Sequence, residues 1–319
     1  TGCIKPEIIV PGGRELVRGQ VIDGACFAVP ATNAGRACGQ KQARPSADDT
    51  AVWNKCGTSN AAALTTRAAI ELYDVLEDLG DGDIRQIVDH GFEAVVLKAL
   101  LVHGASWGAV EDATEAIIRD SLNCGAVAAR KEVTRFGGYG APNFERVKAC
   151  TARRATTISF GELVKDQEAL IELPLPPSLQ SVTEVRSLRV TLAWLTPINA
   201  RFSGYRRAKL SIDPVDEKKV ETVIGGPRVA KSQPDFNQVK KGTVTHEYFS
   251  GDKATPFIHE GKLRLRVACP APNDQDLDDP VPFAVVTSIE VGEDSTINVY
   301  EEVKVGIEEL VRVRARAPR

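Results

Sequence analysis

Gly57-Thr58-Ser59-Asn60-Ala61-Ala62 opens the clearest helical pattern of the chain. Beyond it Ala61, Leu64, Ala68, Leu72 and Val75 recur at helical spacing, which predicts a helix from about Ser59 to Leu76. A serine at the start of such a helix has two readings. It is a common N-cap, because its hydroxyl accepts from an orphan backbone N–H. It is also a candidate nucleophile, because unpaired N–H groups and the positive end of the helix dipole face any negative charge that develops there. Gly57 permits a tight backbone entry, and Ala61, Ala62 and Ala63 let the helix start lie close to its neighbours.

What flanks the segment decides between the two. Ahead of it, Cys3 to Val10 reads as an apolar strand closed by Pro11-Gly12-Gly13, followed by a loop-rich stretch to Cys56. Behind it, a helix is predicted from Phe92 to Leu101, with Val95, Val96, Ala99 and Leu100 on one face, and another from Val110 to Ile118. Gly137-Gly138-Tyr139-Gly140-Ala141-Pro142 then forces a turn. From Thr156 the period changes to two. Leu188, Val190, Leu192 and Trp194 alternate with Arg189, Thr191 and Ala193, and Leu263, Leu265 and Val267 alternate with Arg264 and Arg266. Similar runs cover Ala208 to Ile212, Val244 to Phe249, Phe283 to Val291 and Ile297 to Val305. This predicts two domains, residues 1–152 and 153–319, the second an antiparallel, jelly-roll-like β-sandwich of roughly eight strands.

Gly57-Thr58-Ser59 leading into a small-residue helix resembles the nucleophile motif of the subtilisin-like serine proteases. Ile4-Lys5-Pro6-Glu7-Ile8-Ile9-Val10-Pro11-Gly12 is similar to the Lys-Pro-Asp/Glu strand and Pro-Gly turn that precede the serine in that family. The helix pair and the Gly138-Tyr139-Gly140 turn before Asn143 to Cys150 resemble its last catalytic-domain elements. Leu188 to Trp194, followed by a Pro197 loop, is similar to the start of the sandwich domain that follows the catalytic domain in many larger members. Two positions depart from the pattern. Ala63 stands where the family usually has proline, and Asn60 where it commonly has methionine.

The resemblance implies an α/β fold for residues 1–152, the C-terminal part of a subtilisin-like parallel-sheet domain, followed by the all-β sandwich. It implies peptide-bond hydrolysis through an acyl-enzyme on Ser59. The family order is Asp, His, Ser, whereas His90, His103, His246 and His259 all follow Ser59. The resemblance therefore places the base, its aspartate and the oxyanion asparagine ahead of Thr1. The partners expected are a polypeptide substrate and the N-terminal part of the catalytic domain, and the chain by itself is expected to be inactive because its nucleophile has no positioned base. The alternative from a different class is a non-catalytic protease remnant whose sandwich binds protein partners.

Composition narrows the other classes. Forty basic and forty-three acidic residues give a formal charge of −3, which exerts no general pull on nucleic acid or anionic membrane. The longest apolar run, Val95 to Val102, is too short to span a bilayer and is interrupted by Lys98. Seven cysteines form no Cys-x-x-Cys pair, a pattern that fits reduced thiols and a cytoplasmic location and lacks zinc spacing. No cofactor is expected. Asp274-Gln275-Asp276-Leu277-Asp278-Asp279 has oxygen ligands for a structural calcium ion but lacks the glycine and terminal glutamate of an EF-hand loop, so it reads as a solvated acidic loop. Arg312 to Arg319 reads as a solvated basic tail.

Two further residues compete for a role. Gly104-Ala105-Ser106-Trp107-Gly108 matches the Gly-x-Ser-x-Gly elbow of α/β-hydrolases, with His246 and His259 downstream. That elbow needs a strand before the serine, and a helix is predicted there. His103, where that helix ends, reads as a partly buried histidine with its hydrogen bonds satisfied.

Overall fold

The computed structural model describes residues 3–14, 17–30, 39–47, 50–78, 85–108, 110–180, 182, 184–201, 206–215, 239, 241–251, 261–270 and 279–316. They form two compact units, one of residues 9–71 and one of residues 1–8 and 72–319.

The smaller unit is built from two hairpins and the start of a helix. Strands β1 (Val17–Ile22) and β2 (Ala25–Pro30) pair with Ile22 opposite Ala25. Asp23 and Gly24 between them both have positive φ, 52° and 79°, the two-residue turn whose twist suits a hairpin. Strands β3 (Gln40–Ala43) and β4 (Val52–Lys55) form the second hairpin. Both hairpins lie in the stretch up to Cys56 whose turn-forming residues predict loop. Helix α1 (Thr58–Asp78) follows and carries the apolar spacing that predicted it.

The larger unit holds the β-rich half of the chain. One sheet has four antiparallel strands in the order β11 (Val244–Gly251), β9 (Arg186–Trp194), β13 (Val281–Val291), β7 (Arg154–Leu163). The other has three, β10 (Ser211–Pro214), β12 (Lys262–Ala268) and β8 (Glu168–Pro174). Period-two alternation sends Leu188, Val190, Leu192 and Trp194 of β9 and Phe283, Val285, Ile289 and Val291 of β13 into one core with Leu263, Leu265 and Val267 of β12 and Leu173 of β8. The antiparallel sandwich expected from the alternation is therefore present.

The opposite face of the four-stranded sheet is also covered. Helix α3 (Glu93–His103) lays Val95, Val96, Ala99, Leu100 and Val102 against Ala193, Val244, Ala284 and Val286, and Ile4, Leu72, Leu76, Ile87 and Tyr139 complete that second core. The short helix α2 (Arg85–Asp89) supplies Ile87. Burial on both faces explains why β9 and β13 are almost continuously buried. That second core takes residues from both sides of residues 152 and 153. Lys98, the one charge in the apolar run, reaches out of this layer: its Nζ donates to Thr243 Oγ1 at 2.5 Å and Thr243 O at 3.1 Å, with Glu7 at 3.9 Å. Burial lowers its pKa and the Glu7 carboxylate opposes that shift.

The remaining elements are α4 (Val110–Leu122), α5 (Ala126–Gly137), α6 (Phe144–Lys148), the two-residue pair β5 (Ala105–Ser106) and β6 (Ala141–Pro142), and α7 (Val299–Arg316). Two local expectations are corrected. Residues 297–305 were expected to be a strand; from Val299 onward they are the first turns of α7. Val299 and Val303 are buried four residues apart while Val305 is exposed, a helical period, and Asn298 Oδ1 accepts from the Glu301 N–H at 3.2 Å. Residues 3–10 carry no strand pairing among the described residues. They are held instead by contacts such as Tyr139 N–H donating to Glu7 O at 2.8 Å. Every ladder among the described residues is antiparallel. No helix among them is long and apolar enough to cross a membrane.

Candidate active site at the start of helix α1

The turn Pro11-Gly12-Gly13 closes directly on Gly57. Gly57 N–H donates to Gly12 O at 2.9 Å, and a Cβ added at Gly12 would lie 2.6 Å from Gly57 O. Only glycine fits that approach. Gly13, at φ +94°, passes as close to Lys55 O. The Pro-Gly turn and the glycine before the serine, joined by the family resemblance, are thus joined by a hydrogen bond as well.

Asn60 fixes this arrangement. It is 7% exposed, and its Nδ2 donates to Lys55 O at 2.8 Å and to Gly12 O at 3.2 Å, while Oδ1 accepts from Gln42 Nε2. One amide thereby ties the Pro-Gly turn, the β3–β4 hairpin and the helix start together. Gln40 Nε2 adds a bond to Pro11 O at 2.6 Å. In the sequence Asn60 stands out only as a departure from the family pattern. A buried amide among short apolar residues was the signal available, but its three partners lie on separate segments.

With Asn60 turned inward, Ser59 is exposed. It is the second residue of α1 rather than the residue before the helix, so it shares the first turn with N–H groups that have no intrahelical acceptor. Such N–H groups can donate to an acceptor that approaches the helix start. Among the described residues no histidine or carboxylate hydrogen-bonds to Ser59. His90 is an exposed residue just after α2. His259 and residues 274–278 of the acidic loop lie outside the described residues, as do residues 317–319 of the basic tail.

Ser106 occupies β5, paired with β6, and the residues before it are helix α3. A hydrolase elbow runs from strand to helix, so its local order is not met here. His246 hydrogen-bonds through Nδ1 to Thr191 Oγ1 at 2.7 Å.

His103 is 1% exposed and fully engaged. Nδ1 meets Thr191 Oγ1 at 2.8 Å and Nε2 meets Ser288 Oγ at 2.6 Å; Ser288 Oγ in turn meets Thr156 Oγ1 at 2.8 Å. The resulting chain runs His246, Thr191, His103, Ser288, Thr156 across all four strands beneath α3. Burial pushes the His103 pKa well below 6.5, and His246, Arg189, Arg146 and Arg154 reinforce the shift. The expectation of a satisfied histidine holds, with deeper burial than anticipated.

Among the described residues no group of three or more His, Cys, Asp or Glu is placed to hold a metal ion. Cys26, Cys56, Cys124, Cys150 and Cys269 are free thiols. A scan against protein-family models gives no match to this chain, and a search of curated proteins gives none either.

Proposed function

We propose that this chain carries the nucleophile of a serine endopeptidase of subtilisin type, with Ser59 as the attacking residue. The observation that supports the reading best is the closure of Pro11-Gly12-Gly13 on Gly57, which leaves Ser59 exposed in the first turn of α1. In the proposed reaction Ser59 Oγ attacks the scissile carbonyl of a polypeptide and forms an acyl-enzyme. The Ser59 N–H and an asparagine side chain from the N-terminal part of the catalytic domain stabilise the oxyanion. The histidine base and its aspartate come from that same part, and no cofactor takes part.

The β-sandwich is read as a second, jelly-roll-like domain that supports the catalytic part or binds protein. A protease remnant acting only through that sandwich is the second reading, supported by the want of a histidine bonded to Ser59 among the described residues. Fluorophosphonate labelling of the full-length protein separates the two. The protease reading expects one labelled serine, lost with Ser59→Ala together with hydrolysis of a peptide substrate. Labelling that survives Ser59→Ala and vanishes with Ser106→Ala moves the nucleophile to Ser106, and no labelling at all favours the remnant.

A further inference from the structure

At the end of the four-stranded sheet, on the face that α3 and α6 cover, the guanidinium groups of Arg146 and Arg154 hold the Glu290 carboxylate, and that of Arg189 lies near enough for its charge to act on both. The ladder sets Arg154 of β7 directly opposite Glu290 of β13, and Arg189 of β9 opposite Ser288, two residues along the same face. Arg146 comes from α6. Its Nη1 donates to Glu290 Oε1 at 3.2 Å and its Nη2 to Oε2, a bidentate pair. Arg154 Nη1 approaches Glu290 Oε1 at 3.4 Å, and Arg154 Nη2 donates to Ala149 O at 2.9 Å. Arg189 donates to Ala105 O at 3.3 Å and lies over the Tyr248 ring at 4.5 Å.

Among the described residues, one carboxylate against three guanidinium groups leaves an excess of two positive charges. Such an excess in a half-desolvated place is costly unless an anion offsets it. The donors are not used up either: Nε of Arg146, Arg154 and Arg189 is buried without an acceptor among the described residues. The side chains of Arg146, Arg154 and Glu290 stay 17%, 12% and 26% exposed, so a small anion can reach them from water. Burial, and after it the Arg146 charge, push the Arg189 pKa down to about 10, against the opposing pull of Tyr248 and Glu290.

We propose that Arg146, Arg154 and Arg189 form a binding site for a dianionic phosphate group, with Glu290 as a resident anion that the phosphate joins or displaces. Planar forked donors match phosphate oxygens, and a dianion matches the excess charge. The site is independent of Ser59 and of any reading of its chemistry. It is wired to the interior, because the same three arginines face His103. A phosphate bound among them offsets their potential and makes His103 easier to protonate.

The experiment is calorimetric titration of the protein with inorganic phosphate, phenyl phosphate and acetate at fixed ionic strength in chloride. Saturable binding of inorganic phosphate, with acetate at least about tenfold weaker, is expected from the charge match. Arg146→Gln should weaken phosphate binding about tenfold or more by removing charge-assisted bonds. Glu290→Gln should tighten it. Binding of phenyl phosphate as well identifies the source as a phosphate monoester, whereas inorganic phosphate alone identifies it as the free ion.

Should either variant fold poorly, the wild-type protein still decides. Phosphate should raise its melting temperature relative to chloride at equal ionic strength, and should raise the pH at which the His103 ring titrates by NMR. No saturable phosphate binding by the wild-type protein, acetate binding as tight as phosphate, or unchanged binding in folded Arg146→Gln overturns the proposal.

Discussion

Lowering the pH from 7.5 to 5 should loosen the joint between α3 and the four-stranded sheet through His103. The ring is buried among Thr191, Ser288 and His246, with the guanidinium groups of Arg189, Arg146 and Arg154 beyond them, and Glu290 and Tyr248 among the groups facing those arginines. Protonation does not cost hydrogen bonds. Thr191 and Ser288 can rotate their hydroxyls to accept from both ring nitrogens and pass their own protons to His246 Nδ1 and Thr156 Oγ1. The cost is electrostatic: a charge taken out of water and set among like charges.

The sign follows from proton counting. The folded pKa lies well below 6.5, so between those two values the unfolded chain binds a proton that the folded chain refuses. Stability from the neutral ring is complete above pH 6.5 and is lost as the pH falls through that window, by roughly 1 kcal/mol per pH unit. Urea unfolding of the wild-type protein and of His103→Gln at pH 7.5, 6.5, 5.5 and 5.0 measures it, because carboxylate titrations are common to both and cancel. Wild type should be the more stable at pH 7.5 and should lose roughly 1 kcal/mol or more of that lead by pH 5.5. A lead that stays constant across the series would refute the reasoning, since His103 would then titrate alike in both states.

Two other substitutions probe how the helix start and the second core are held. Asn60→Leu takes a donor from Lys55 O and the acceptor from the Gln42 amide, leaves Gly12 O with its bond from Gly57 N–H alone, and should cost roughly 2 kcal/mol in denaturant unfolding. If the proposed nucleophile depends on this bracket, fluorophosphonate labelling of Ser59 in the full-length protein should slow as well. Gly138 sits at φ +58°, and an added Cβ would fall 2.1 Å from Pro6 O and 2.5 Å from Glu7 O. Gly138→Ala should therefore destabilise by more than about 3 kcal/mol, read as a fall in melting temperature, because backbone rather than a movable side chain is in the way. A melting temperature within a degree or two of wild type would refute that packing.

How far the sequence is legible depends on whether an element's pattern admits one period or two. Helix α1 and strands β9, β12 and β13 announce themselves because their apolar residues fit only one period. The start of α7 does not, since Ile297, Val299, Val303 and Val305 satisfy alternation as well as a helical repeat, and burial of Val299 and Val303 alone decides. The β1–β2 hairpin was readable from Asp23-Gly24 flanked by apolar residues, a turn signal that the glycine-rich surroundings masked.

By itself the sequence determined the serine at a helix start, the turn that precedes it and the sandwich that follows, because each is a local matter of period and turn chemistry. Tertiary structure decided what those elements meet. His103 finds Thr191 and Ser288 at separations of 88 and 185 residues, Asn60 bridges three segments, and Arg146 reaches Glu290 across 144 residues. A hydrogen-bond partner or a charge excess is a property of the folded neighbourhood. No spacing along the chain records it until the strands have paired and the helices have closed over them.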